Sequence, residues 1–361
     1  MPPRPTEESE HANETRPDEE RVKLEYQRRV PPLGDLCRET EYVLKKRLGE
    51  AGIRFASVTS RVKDLDSLLE KIEHKGYDDP FSQVTDLAGA RVVCLYRSDF
   101  EAIQELILEE FEVVEVEDKI QQQGVTEFGY AGVNYLVRVA QKYSGARYDH
   151  LKGLICEVQV RTVLHDAWAI ISHHLEYKQE SAVPTELRRR LHAVSALFEI
   201  ADREFDGLRN ERDAYIERIR DEAGAAEIAN FLARELNLDS LREYVQWKFS
   251  DLPAEGSKNG LAVTLEGLTD GDCKTLADID SLIERTMRGL NLLRNNHPAS
   301  FDSADLLLDA ALALTSDTWG TASQRWINRK HLVQAAKAIG DVAGVKVPPP
   351  LPPSSGPDTN S

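Results

Sequence analysis

The sequence predicts an α/β layer in its first half and an all-helical region in its second. Between about residues 59 and 178, the strand-like runs ARVVCLY, FEVVEVED, NYLVRVAQ and LICEVQVRT alternate with helical stretches, as in a mostly central sheet with helices packed on it. After Arg91, ARVVCLY is a continuous apolar run, as expected of a strand inside a sheet covered on both faces. From Pro184 the pattern changes. Leu187, Leu191, Val194, Phe198, Ala201, Phe205 and Leu208 step by four and three, which marks a helical stripe that is either core or a partner face.

Each element has a local reason. Residues 1–32 are rich in Pro and Glu and poor in large apolar groups, which predicts a disordered acidic tail. From about 33 to 58, Leu36, Val43, Leu44 and Leu48 form the apolar stripe of a helix. RVK at 61–63 is a short extended piece. DSLLEKIEHK and SDFEAIQELILEEF are helices, and Ser67 with Glu70 and Ser98 with Glu101 have capping-box spacing. VLHDAWAIISHHLEYK is a helix with Trp168 as a core residue. Glycine-containing breaks at SDLPAEGSKNG and at 266–272 set off a last helical block, about 273–345. Residues 346–361 are a Pro-rich disordered tail that favours polyproline II.

The 361 residues, 41% of them hydrophobic, are enough for two or three domains with buried cores. The four cysteines, Cys37, Cys94, Cys156 and Cys273, are far apart, so no metal knuckle or CxxC motif is present. Cys94 and Cys156 lie in apolar strand runs and read as small core residues, which fits a reducing, cytoplasmic setting. No signal peptide or membrane-spanning run is evident, so no membrane partner is expected. A net charge of −17 opposes non-specific binding to nucleic acid. Cations gathered in one place on such a chain are therefore informative.

In CEVQVRT, Glu157, Gln159 and Arg161 alternate with Cys156, Val158, Val160 and Thr162. On a strand the three polar groups share one face. Arg61 and Lys63 share a face on their own segment, Lys71 follows on the next helix, Asp86 precedes the LAGA turn, and Arg91 stands early in the apolar strand. Converging at one sheet edge, these residues would suit phosphate chemistry. The cations would neutralise phosphate oxygens, and the two carboxylates would hold Mg²⁺. The same set also reads as surface ion pairs worth about 0–1 kcal/mol each. Neither GxxxxGK[ST] nor GxGxxG occurs.

Taken together, SRVKDLDSLLEKIEHKG, VTDLAGARVV, FGYAGVNYLV and CEVQVRTVLHDAWAIISHHLEYK resemble the synthetase domain of the RelA/SpoT family, of the small alarmone synthetase type. The resemblance covers roughly residues 33–215 and leaves 216–345 as a helical accessory domain. It implies a nucleotidyltransferase-like mixed sheet flanked by helices. It also implies transfer of the β,γ-pyrophosphate of ATP to the 3′-hydroxyl of GDP or GTP, yielding (p)ppGpp. By the resemblance, Arg61 and Arg91 sandwich the adenine, Lys63 and Lys71 hold the ATP phosphates, and Asp86 and Glu157 are the catalytic carboxylates that bind Mg²⁺. Tyr130 stacks on the guanine, with Asn134, Gln159 and Arg161 on the acceptor side.

The acceptor side departs from the family pattern GY-x-S-x-H. Residues 129–134 read Gly-Tyr-Ala-Gly-Val-Asn, and Asn134, unlike His, carries no charge. Two alternatives follow, a relative that pyrophosphorylates the 3′ end of tRNA and a non-catalytic nucleotide-binding sensor. A homo-oligomer is a further partner that the reading allows. The family's hydrolase needs paired His and Asp ligands. The only His-Asp dipeptide is His165-Asp166, inside the synthetase match, so synthesis without hydrolysis is expected. On the helix after CEVQVRT, His173 reads as a residue that orients a neighbour, and Tyr177 with Lys178 matches a family YK pair. The run Arg188-Arg189-Arg190 reads as a solvated face or an RNA contact.

Overall fold

The computed structural model describes residues 18–118, 132–175, 185–225, 228–315 and 329–340. The chain divides into two compact units, 1–209 and 210–361.

The first unit is built on a five-stranded mixed sheet in the order β1-β2-β5-β4-β3. Its strands are β1 (Phe55–Val62), β2 (Ala88–Cys94), β3 (Phe111–Asp118), β4 (Val133–Val139) and β5 (Cys156–Thr162). β2 and β5 run parallel, and the other neighbouring pairs are antiparallel. Helix α1 (Glu19–Glu50) is followed by α2 (Leu65–Lys75), α3 (Pro80–Gln83), α4 (Phe100–Glu110) and α5 (Val163–Leu175).

The period of two sorts the strand residues onto the two faces. Val58, Val92, Val160 and Val133 form one row across four strands, and Ala90, Val158 and Tyr135 form another. All are buried in one core with Leu36, Leu44 and Leu48 of α1 and with Ile103 and Ile107 of α4. Cys94 and Cys156 are fully buried there, as their apolar setting predicts. The alternate positions of the strands carry the polar residues.

The first helix differs from the sequence expectation at both ends. It begins at Glu19, not near residue 33, and continues through Pro31 and Pro32. Asp18 accepts a hydrogen bond from the Glu20 amide, Val22 is buried, and the Tyr26 hydroxyl donates to the Lys63 carbonyl at 2.8 Å. Burial and this bond order a segment whose composition alone predicts disorder. The helix ends at Glu50, not 58, because Gly52 turns at φ +69° and the alternating FASVTSRV is strand.

Neither expected capping box forms. Asp64 caps α2 by accepting from the Ser67 amide. The Ser98 amide and hydroxyl both donate to Asp206. The side chains of Asp64 and Asp206, one just upstream and one far along the chain, take the places that the serines and glutamates were expected to fill.

Helix α6 (Thr185–Gly224) continues from the first unit into the second. Its first-unit part presents Ser195 and Asp202 as buried residues, whereas Leu187, Val194, Leu197, Phe205 and Leu208 are exposed. The stripe expected there is thus a partly solvent-facing surface of the helix and not core along its length. Trp168 of α5 is buried and meets Phe198 edge-on with ring centroids 6.3 Å apart.

The second unit is helical among its described residues: α7 (Ala229–Leu232), α8 (Leu238–Lys248), α9 (Gly260–Asp270), α10 (Leu276–Asn296), α11 (Ala304–Thr315) and α12 (Arg329–Ile339). Its core gathers Phe231, Tyr244, Ile283 and Leu308. Capping boxes form at Asn237 with Ser240 and at Thr275 with Asp278. No described helix is long and apolar enough to cross a membrane.

Candidate active site

The polar face of the sheet can be read directly from the strand register. Thr59, Arg91, Gln159, Asn134 and Glu117 stand opposite one another across all five strands. The next row holds Arg61, Gly89, Glu157 and Leu136. Paired residues of adjacent strands lie on the same face, so the sequence alternation in CEVQVRT extends into a two-dimensional polar floor.

Over one part of that floor lies a cleft of about 300 Å³. Six of the expected residues line it: Arg61, Lys63, Asp86, Arg91, Glu157 and Gln159, together with Thr59, Ser60, Gly89 and Ala90. Arg61 and Lys63 are presented by the end of β1, where Cys37 donates to the Arg61 carbonyl and Tyr26 to the Lys63 carbonyl. Asp86 is held between the buried anchors Val84 and Leu87.

Lys63 and Lys71 approach Asp86 from two elements, at 3.1 and 3.0 Å. Burial pushes the Asp86 carboxyl up, but its bonds to Lys71 and Lys63 outweigh this and hold it below the usual range. It is therefore ionised at neutral pH and balanced by two ammonium groups.

Gln159 links the two halves of the floor. Its Nε2 donates to Glu157 at 2.7 Å, and its Oε1 accepts from Arg91 Nε and Nη2 at 3.2 and 3.1 Å. A donor on one side and an acceptor on the other fix the amide in one orientation. Arg91 Nη1 continues the chain to Asp166 of α5 at 2.9 Å.

Among the described residues, the expected Arg161 and Asn134 lie apart from the cleft lining. Arg161 shares the polar face but sits against α5, with Asp166 at 3.8 Å. Burial and the neighbouring Arg91 lower its pKa. Asn134 is buried, beside Gln159 in register, and donates to Glu117 at 3.4 Å. Tyr130, Tyr177 and Lys178 lie outside the described residues, as do the side chains of His173 and His174.

Just before β4, Gly132 packs so closely that a Cβ there would come within 2.6 Å of the Val160 carbonyl and 3.0 Å of the His165 ring. His165 is buried, and burial followed by the nearby arginines pushes its pKa down to about 3, so it is neutral at physiological pH.

Thr59 and Gly89 could have been found from sequence, since each stands two residues from an expected arginine on the same strand. Glu117 and Asp166 reach the floor from another strand and from a helix, and no local spacing signals them.

The cleft over the sheet's polar face thus brings two carboxylates, Asp86 and Glu157, together with the cations Arg61, Lys63 and Arg91. Residues 60–182 match the model of the region found in RelA/SpoT proteins. GTP pyrophosphokinase YjbM of Bacillus subtilis (strain 168) is 30% identical over 158 residues, covering 43% of this chain and 72% of that protein. GTP pyrophosphokinase YwaC of the same organism is 27% identical over 160 residues, covering 43% and 73%. The crystal structure of small alarmone synthetase 1 from Bacillus subtilis aligns with 25% identity and a TM-score of 0.45, over 53% of this chain and 98% of that one. The chain belongs to the RelA/SpoT family.

Proposed function

We propose that this protein transfers the β,γ-pyrophosphate of ATP to the ribose 3′-hydroxyl of GDP or GTP, releasing AMP and (p)ppGpp. The observation that carries the reading is the convergence of Arg61, Lys63 and Arg91 with Asp86 and Glu157 in one cleft, on a chain of net charge −17. The names of the two relatives, both GTP pyrophosphokinases, point the same way.

In this reading Arg61 and Arg91 face the adenine. Lys63 and Lys71 exchange the Asp86 carboxylate for the oxygens of the ATP phosphates, which are anions of higher charge. The 3′-oxygen attacks the β-phosphorus, the bond to the α-phosphate oxygen breaks, and AMP leaves. Glu157, oriented by Gln159, takes the hydroxyl proton. Tyr130, Asn134, Gln159 and Arg161 serve the acceptor.

The donor set fits a hard cation. Asp86 and Glu157 line the same cleft and offer oxygen only. Mg²⁺ characteristically takes one or two carboxylates plus substrate phosphates. When bound, it would neutralise charge on the transferring group.

The test is to incubate purified protein with γ-labelled ATP and Mg²⁺, with GDP, GTP or deacylated tRNA in parallel. Label on the guanine nucleotides is expected. Label on tRNA alone would move the assignment to tRNA pyrophosphorylation, and no label with ATP bound would make the protein a nucleotide sensor. Labelled (p)ppGpp incubated with the protein and Mn²⁺ is expected to stay intact.

A further inference from the structure

We propose that Asp166 is a positioning residue that holds Arg91 and Arg161 side by side, so that Arg91 meets the donor's adenine in one fixed orientation. The inference rests on reading the cleft as an ATP site.

Two guanidinium groups on neighbouring strands, β2 and β5, lie near the same carboxylate, with Asp166 at 2.9 Å from Arg91 and 3.8 Å from Arg161. Their side chains are 31% and 19% exposed, so water screens their mutual repulsion only in part. The Arg161 Nε is buried without a hydrogen-bond partner among the described residues. A shared anion is the simplest means of keeping both cations in place.

Asp166 is suited to this task. It sits in the first turn of α5, where its backbone is fixed and the helix dipole favours a negative charge. It does not line the cleft, so it acts on the nucleotide through Arg91. Gln159 holds Arg91 from the opposite side through Nε and Nη2, leaving Nη1 for Asp166. All three bonding nitrogens of the guanidinium are thereby engaged at its edge, and the flat faces are left for a purine.

The experiment measures binding of a non-hydrolysable ATP analogue by calorimetry, steady-state kinetics with ATP and with acceptor varied separately, and thermal melting. These are read for wild type and for Asp166→Ala, Asp166→Asn and Asp166→Glu. Asp166→Ala should weaken the analogue roughly 10- to 100-fold, the span of one hydrogen bond to a charged group. KM for ATP should rise with kcat little changed, and the melting temperature should hold. Asp166→Asn, which keeps an acceptor but loses the charge, should fall between, and Asp166→Glu should recover part of the loss. If Asp166→Ala does not fold, the near-isosteric Asp166→Asn decides.

Analogue affinity within about 2-fold of wild type in a folded Asp166→Ala or Asp166→Asn overturns the proposal. So does a rise confined to the acceptor KM, which would put Asp166 on the acceptor. A wild-type protein that does not bind the analogue overturns the ATP reading of the cleft itself, and the proposal with it.

Discussion

Gly89 stands directly opposite Glu157 in the parallel pairing of β2 with β5. A Cβ at Gly89 would meet the Arg61 and Glu157 carbonyls at 3.9 Å, which is ordinary contact. The fold therefore has room for alanine here. The side chain would point onto the polar floor, because paired strand residues share a face.

Gly89→Ala should accordingly fold and retain much of its activity. Gly89→Leu should fold, with a melting temperature within a few degrees of wild type, yet lose ATP binding because the branched group fills the cleft between Arg61 and Glu157. Calorimetry with an ATP analogue checks this, and undiminished binding by Gly89→Leu would show that the nucleotide lies elsewhere.

Asp86→Asn and Glu157→Gln each remove one charge with little change of shape. Turnover should fall by roughly 10²–10³-fold in each, the scale at which a single electrostatic group acts on a transition state, while circular dichroism stays that of wild type. In Asp86→Asn, Lys63 and Lys71 lose their shared carboxylate, so its ATP affinity in the absence of Mg²⁺ should not drop. Near wild-type turnover in either variant contradicts a shared catalytic site.

Asp202 gives the first unit a pH dependence. It is buried on α6 and accepts from the Thr162 hydroxyl at 2.7 Å. Burial, and then Asp206, pushes its pKa up to about 7. The folded state therefore binds a proton that the unfolded chain releases near pH 4, and stability declines as pH rises from about 4 to 7, then levels off. Asp202→Asn keeps an acceptor for Thr162 and removes the titration. Its melting temperature should match wild type near pH 4 and exceed it increasingly up to pH 7, by about 2–4 °C for each kcal/mol. Parallel melting curves for the two proteins across this range would rule the assignment out.

Gly132→Ala places a methyl group against backbone, 2.6 Å from the Val160 carbonyl, where no side chain can swing away. Overpacking of this kind costs about 1–3 kcal/mol. The start of β4 should shift away from β5, and with it the acceptor side of the floor. Acceptor KM should rise more than ATP KM, a difference that kinetics with each substrate varied in turn can measure.

Much of this protein could be read from the sequence because the signals are local. The period of two in CEVQVRT, the apolar run after Arg91 and the residues Leu36, Leu44 and Leu48 determine strand, strand and helix, and in CEVQVRT and the helix they determine which side is buried. The same alternation puts Glu157, Gln159 and Arg161 on one face, and the spacing of Arg61 and Lys63 does so on another segment. What the sequence could not determine depended on partners distant in the chain. The turns around Val22 and Tyr26 are helical because β1 and the core receive them. Asp206 takes Ser98 from its expected cap, and part of the α6 stripe faces solvent because Asp202 and Ser195 occupy the buried side. Asp166 acquires its role 75 residues from Arg91. Local periodicity reflects the backbone geometry of each segment, whereas the choice of hydrogen-bond and ion-pair partners is settled only when the sheet register and the helix packing bring distant groups within about 3 Å of one another.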